Sequence, residues 1–144
     1  MKKTLLIIVL SLTFVGCAGP RQVYQGEIKP VEEVAVIRAG RDGTMENRFM
    51  SVDGKDMQDG KSVSSDVKVL PGKHTLGVIN NYTPGLAEPT LNTVGFLHFI
   101  AEAGHVYDLE SVGEDGEAYF WLEDAETGEV VSEEKPPKKY LQRQ

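Results

Sequence analysis

The chain has 144 residues, a formal net charge of −7 and a single cysteine. This length fits one domain that buries its own core, and the lone cysteine excludes an internal disulfide. The acidic balance argues against a nucleic-acid-binding protein, because such a protein needs a basic face to meet the phosphates.

The first 16 residues have the layout of a secretory signal peptide. Lys2 and Lys3 precede an apolar run that is too short for a comfortable membrane span. The run ends in Phe14-Val15-Gly16-Cys17, which resembles the bacterial lipobox, with Phe14 where leucine is usual. An ordinary signal with a chance cysteine is the alternative, but lipidation explains the one odd thiol of an exported chain. We therefore expect cleavage before Cys17 and membrane anchoring through acyl chains, palmitate among them, on Cys17.

Residues 17–32 and 133–144 are predicted to be flexible. The first range contains glycines and prolines without an apolar period and is interpreted as a tether. The second contains Pro136-Pro137 and four basic side chains and is interpreted as a basic tail. Ala18 follows the lipidated cysteine. Because aspartate there commonly retains Gram-negative lipoproteins in the inner membrane, alanine indicates the outer membrane, facing the periplasm.

Residues 33–132 are predicted to form an all-β domain. Short runs with a period of two alternate with glycine, proline and aspartate turns, and no segment has a convincing helical period. This pattern is typical of a single small β-sandwich of about seven or eight short antiparallel strands.

Three segments of this domain are interpreted individually. Val67–Val78 predicts a central hairpin, with Pro71-Gly72 in the turn. Asn80–Asn92 is interpreted as the longest irregular segment, and loops of that length are usually functional or mobile. Thr93–Ala101 is the most apolar run and predicts a central strand.

Two short motifs resemble those of a known group of proteins. Ser51-Val52-Asp53-Gly54-Lys55 followed by Leu70–Val78, together with Phe99–Leu109, is similar to the PEGA-type surface domain and related small bacterial lipoproteins of unknown function. The resemblance covers about Val34 to Leu109, and the long Asn80–Asn92 segment departs from it. It implies a β-sandwich-like fold and a role in the cell envelope, with no catalytic residues to transfer.

The sequence does not predict an enzyme, a metal site or a cofactor. His74, His98 and His105 lie in different predicted strands and lack the paired spacing of a metal site, so structural hydrogen bonds are the simpler interpretation. The turn carboxylates at 53–59 lack the ligand spacing of a calcium loop. The chain has no Gly-x-Ser-x-Gly nucleophile motif.

Aromatic residues are the candidates for a binding surface. Tyr82, Tyr119 and Trp121 could contact a glycan or a protein, since tyrosine and tryptophan supply large amphipathic contact areas. Alternation puts Tyr119 and Trp121 on one face of their strand, and burial of that face is the alternative.

These observations predict a membrane-anchored envelope lipoprotein that acts as a non-catalytic binding or accessory module. Its partner would be an envelope protein or a glycan polymer. A structural surface domain of a larger assembly is the first alternative. A metal-dependent hydrolase is the second, and it would need a pocket with converging polar groups.

Overall fold

The computed structural model describes residues 19–42, 45–57, 66–82, 91–114 and 117–141. The predicted signal peptide and Cys17 lie outside the described residues, as do residues 83–90 of the predicted irregular segment.

The described residues form strands with one short 3-10 helix, Val31–Glu33. The all-β prediction is therefore confirmed. Three of the ten strands have only two residues each, whereas the others have four to eleven. In chain order the strands are β1 Arg21–Gln22, β2 Ala35–Ala39, β3 Arg41–Asp42, β4 Met45–Val52, β5 Lys55–Asp56, β6 Asp66–Val69, β7 Gly72–Tyr82, β8 Leu91–Ala101, β9 Val106–Glu114 and β10 Glu117–Asp124.

The strands form two sheets. The first sheet has the order β1-β6-β2-β9-β10, and the second has the order β3-β4-β7-β8 with β5 beside β4. Most pairs are antiparallel, but β1 runs parallel to β6 and β2 runs parallel to β9. The prediction of antiparallel strands is therefore wrong for these two pairs. The strands of the second sheet lie between β2 and β9 in the chain. This long connection lets β9 start at the same end of the first sheet as β2 and run parallel to it.

The two sheets share one hydrophobic core. Alternate residues of each strand point into it, as the period of two predicts. For example, Val67 and Val69 of β6 and Leu76 and Val78 of β7 are fully buried. The core comprises Ala35, Ile37, Ala39, Phe49, Val52, Met57, Val67, Val69, Leu76, Val78, Leu97, Phe99, Ala101, Tyr107, Leu109, Phe120 and Leu122.

The predicted hairpin around Pro71-Gly72 is wrong. β6 belongs to the first sheet and β7 to the second, so this dipeptide carries the chain from one sheet to the other. Both sides of β6 are already occupied, by β1 and β2, and no side remains for β7. The predicted inward faces of the two strands are nevertheless those observed.

β8 is an edge strand in the described part of the chain, contrary to its predicted central position. It pairs only with β7, in continuous register from Gly72↔Ala101 to Tyr82↔Leu91. The predicted irregular segment is therefore shorter than expected, because its first three and last two residues belong to these strands. Gly95 of β8 faces Phe120 across the core, where a Cβ atom would lie only 2.6 Å from the ring. Glycine thus permits the close approach of the two sheets at this point.

Both predicted flexible ends contact the domain within the described residues. Arg21–Gln22 pairs with β6, so part of the expected tether belongs to the first sheet. At the other end, residues 129–141, called the C-terminal segment below, lie against the edges of both sheets. Val131 N–H donates to the Leu122 carbonyl oxygen of β10, and Glu133 N–H donates to the His98 carbonyl oxygen of β8. Glu133, the first residue of the predicted flexible tail, therefore bonds to the domain.

Candidate functional site

The outer face of β8 exposes three large apolar side chains. Val94, Phe96 and Ile100 are 49%, 53% and 60% exposed, respectively, whereas the intervening Leu97 and Phe99 are buried in the core. The strand is therefore apolar on both faces, although the described residues cover only the inner face. We call Val94, Phe96 and Ile100 the β8 outer face.

A glycine of the neighbouring strand lies beside this apolar surface. Gly77 of β7 lies directly opposite Phe96 in the register. A Cβ atom at Gly77 would lie 3.4 Å from the Phe96 ring and 3.2 Å from the terminal methyl group of Met50 on β4. Phe96, Met50 and the hydroxyl of Ser51 therefore all lie close to Gly77, so apolar and polar groups of β4 border the β8 outer face.

Basic side chains stand beside this surface. Arg48 of β4 is exposed opposite Ile79, and Lys73 of β7 is exposed opposite Ile100. Glu133 and Glu134 of the C-terminal segment also reach β8, at His98, so the charge beside this surface is mixed.

His98 fastens the C-terminal segment to the edge of β8. Its ring Nδ1 lies 2.7 Å from Oε1 of Glu134, and its backbone N–H donates to Oε2 of the same carboxylate at 2.8 Å. Because the Glu134 carboxylate accepts a hydrogen bond from the protonated His98 ring, the pKa of His98 is raised above its usual value. Burial alone would raise the pKa of Glu134, but the bonds from the His98 ring and backbone outweigh burial and lower it.

A shallow groove beside this contact brings two histidines together. It has a volume of about 310 Å³ and is lined by His74, His98, Asp53 and Lys73 among others. The His74 Nδ1 lies 2.7 Å from Asp53 Oδ2, and its Nε2 lies 2.6 Å from the Leu70 carbonyl oxygen. Because both nitrogens of His74 are engaged, its ring holds two turns together, as the interpretation of His74 as a structural residue expected.

A second groove, of about 440 Å³, has similarly paired polar groups. Arg38 makes two 2.6 Å bonds to the Asp108 carboxylate. His105 Nδ1 lies 2.7 Å from Asp124 Oδ2, and this bond raises the pKa of His105 and lowers that of Asp124. Among the described residues, no group of three or more histidine, cysteine, aspartate or glutamate side chains is placed to hold a metal ion.

The aromatic candidates do not form one exposed platform. Trp121 is only 6% exposed. Its Nε1 donates to Glu123, and its ring centroid lies 6.4 Å from that of Tyr140 in the C-terminal segment. Tyr119 is half-buried on the same face and donates its hydroxyl hydrogen to Glu117. Tyr82 ends β7, and its side chain lies outside the described part of the structure.

Comparison with known proteins adds no assignment. No protein-family model, curated protein or solved structure matches this chain. No helix within the described residues is long and apolar enough to cross a membrane. Function must therefore be argued from the chain's own residues.

Sequence reasoning missed the β8 outer face. The alternation of Val94, Phe96, His98 and Ile100 was visible, but a strand that is apolar on both faces is usually covered on both faces. The same strand contains no aspartate, glutamate, lysine, arginine or proline, which could have suggested an unprotected edge.

Proposed function

We propose that this protein is a lipid-anchored, non-catalytic binding or accessory protein of the bacterial envelope. In this proposal Cys17 carries the lipid in the outer membrane, facing the periplasm, and the two sheets form a β-sandwich that binds an envelope protein. The observation that carries the binding role is the β8 outer face, because exposed apolar patches commonly mark interaction sites.

Kinship with PEGA-like lipoproteins is part of this proposal and rests on the two motifs that contain Asp53 and His74. Asp53 belongs to the Asp-Gly turn and His74 to the motif that follows Pro71-Gly72. Their 2.7 Å contact joins the two motifs on which the resemblance rests, and Asp53 also accepts a bond from Thr75 N–H. Asp53 and His74 therefore hold the two motifs in contact.

The exposed apolar surface favours a binding role. Its side chains would lose contact with water when a partner binds, which stabilises the complex.

Metabolic labelling with an alkyne-tagged palmitate tests the anchor. We expect label in the full chain and none in Cys17→Ala, which removes the only thiol. Absence of label in the unaltered chain, or a mature amino terminus other than Cys17, would contradict the lipoprotein proposal.

In-cell crosslinking followed by purification and mass spectrometry tests the binding role. We expect one envelope protein that survives a high-salt wash and is lost from Phe96→Glu. Lys55→Glu is the matched control, since Lys55 is exposed on β5, away from the β8 outer face. Equal recovery with both variants would refute binding through this face.

A further inference from the structure

The free side of β8 differs from the other sheet edges in the described residues. β1, β3 and β5 have two residues each, which offer a partner little backbone for pairing. The edge of β10 is covered, because Leu122 bonds to Val131 and Ser132 of the C-terminal segment. β8 has 11 residues, and no further strand lies beside it in the described part of the sheet.

β8 also lacks the features that usually protect an edge. Natural edges are blunted by charged residues, proline or a bulge. Leu91–Ala101 contains no lysine, arginine, aspartate, glutamate or proline, and its register with β7 has no shift. The β4–β7 pair, by contrast, has a register shift between Phe49 and Ser51.

Backbone groups of β8 point to the free side at every second residue. His98 directs its N–H and carbonyl oxygen away from β7, since they bond to Glu134 and Glu133. In an antiparallel pair, alternate residues direct these groups to the same side. Val94 and Phe96 therefore turn their N–H and carbonyl groups to the free edge, and their side chains form part of the β8 outer face.

The C-terminal segment shows that the backbone groups on this edge of β8 form hydrogen bonds with another part of the chain. Glu133 N–H donates to the His98 carbonyl oxygen at 2.8 Å, and the neighbouring Glu134 carboxylate takes the His98 N–H. The contact is centred on one residue of β8. Residues 92–97 precede His98 in β8.

We infer that β8 binds an extended segment of a partner protein, which adds as a new strand beside Asn92–Leu97. This inference rests on the proposed function and names its mode of binding. Main-chain bonds to Val94 and Phe96 would supply affinity, and alternate apolar side chains of the segment would pack on the β8 outer face.

A second copy of this chain fits the edge less well. The three exposed side chains offer an apolar area on the order of 300 Å², whereas a stable interface covers roughly 800 Å² on each partner. Two copies would also bring together two acidic chains, each with a net charge of −7. An extended peptide needs less area, because its backbone supplies much of the contact.

Site-specific photocrosslinking in the lipidated full chain tests the inference. p-Benzoylphenylalanine replaces Phe96, and the same residue in place of Tyr119 is the control on the other sheet. We expect an adduct from position 96 alone, mapped by mass spectrometry to a partner segment with alternating apolar residues. Val94→Pro should lower its yield roughly tenfold, because proline removes the edge-facing N–H. Val94→Thr keeps that N–H and should retain most of the adduct.

A folding check and a second readout keep the test decisive. If Val94→Pro unfolds, a synthetic peptide with the mapped sequence is added to the unaltered protein. Hydrogen exchange of the Val94 and Phe96 amides should then slow at least about tenfold, as paired backbone groups do. Adducts only to β8 of a second copy, adducts only to lipid, or no adduct at position 96 would each overturn the inference. Loss of the partner from Phe96→Glu but not from folded Val94→Pro would overturn strand addition alone and leave the proposed function standing.

Discussion

The two phenylalanines of β8 provide a direct test of which face of the strand is covered. Phe99 is 4% exposed, and its ring centroid lies 5.9 Å from that of Tyr107 in the opposite sheet. Phe99→Ala leaves a cavity in the shared core and should cost about 3–5 kcal/mol of unfolding free energy. Phe96 is 53% exposed. Phe96→Ala opens no enclosed cavity and removes only a half-covered ring, so it should cost about 1 kcal/mol or less.

Urea unfolding of a soluble form that begins at Ala18 measures both values. This form retains every described residue, and Trp121, the only tryptophan, reports the transition by fluorescence. With a slope of about 2 kcal/mol per molar urea, the midpoint should fall by about 2 M for Phe99→Ala. For Phe96→Ala it should fall by about 0.5 M or less.

The two variants also control each other. If Phe96→Ala costs as much as Phe99→Ala, the outer face is covered in solution, and the reasoning from an exposed edge is refuted. If both variants cost little, the inward and outward positions of β8 are misassigned.

Three further predictions concern contacts at the domain surface. Tyr140→Ala should uncover the indole of Trp121 and shift its fluorescence to longer wavelength, and an unchanged spectrum would show that the ring contact does not shield it. Raising the pH from about 6 to about 9 should weaken docking of the C-terminal segment, because the pKa of His98 is raised by its contact with Glu134. His98 is charged below its usual pKa of 6.5 and loses this charge as the pH passes the raised pKa, while Glu134 stays ionised. The resulting change in Trp121 fluorescence should vanish in His98→Gln, and its persistence there would assign the effect to another group. Asp53→Ala should lower the free energy of unfolding by about 1–2 kcal/mol in thermal unfolding, because Asp53 accepts two hydrogen bonds and has a φ of +50°. Asp53→Asn should cost less, since asparagine tolerates this conformation, and equal losses for the two variants would contradict this account.

Local patterns predicted which side chains face the core. Val67 and Val69 lie two positions apart, as do Leu76 and Val78, and all four are fully buried. A period of two fixes the face of each residue whatever strand lies beside it. The inward residues of β6 and β7 could therefore be predicted from the sequence alone.

Strand pairing could not be predicted in this way. A Pro-Gly turn between two strands fits a hairpin, but it also fits a bend that leads from one sheet to the next. The choice depends on β1 and β2, which occupy both sides of β6 and come from distant parts of the chain. The parallel pairing of β2 with β9 likewise depends on residues about 70 positions apart, such as Val36 and Val106.

The C-terminal segment escaped prediction for a different reason. It has no periodic pattern, and it contacts the two sheets through isolated hydrogen bonds of residues 131–134 and through the ring of Tyr140. Prolines and charged residues are typical of a flexible end, and here they lie between residues that contact the domain. Burial of the face that carries Trp121 was the alternative given from the sequence, and the low exposure of Trp121, 6%, agrees with it; the contact with Tyr140 was not predicted.

β8 was predicted in the centre of a sheet but lies at an edge of the described sheet, and this difference bears on the proposed function. An uncharged run with apolar residues on both faces is stable in the centre of a sheet, where other strands bond its backbone and cover its side chains. At an edge the same composition leaves backbone groups and apolar side chains open to other chains, which promotes aggregation unless something covers them. Within the described residues, the C-terminal segment bonds to this edge at His98. The composition that suggested a central strand is therefore understandable at an edge if a partner completes the sheet.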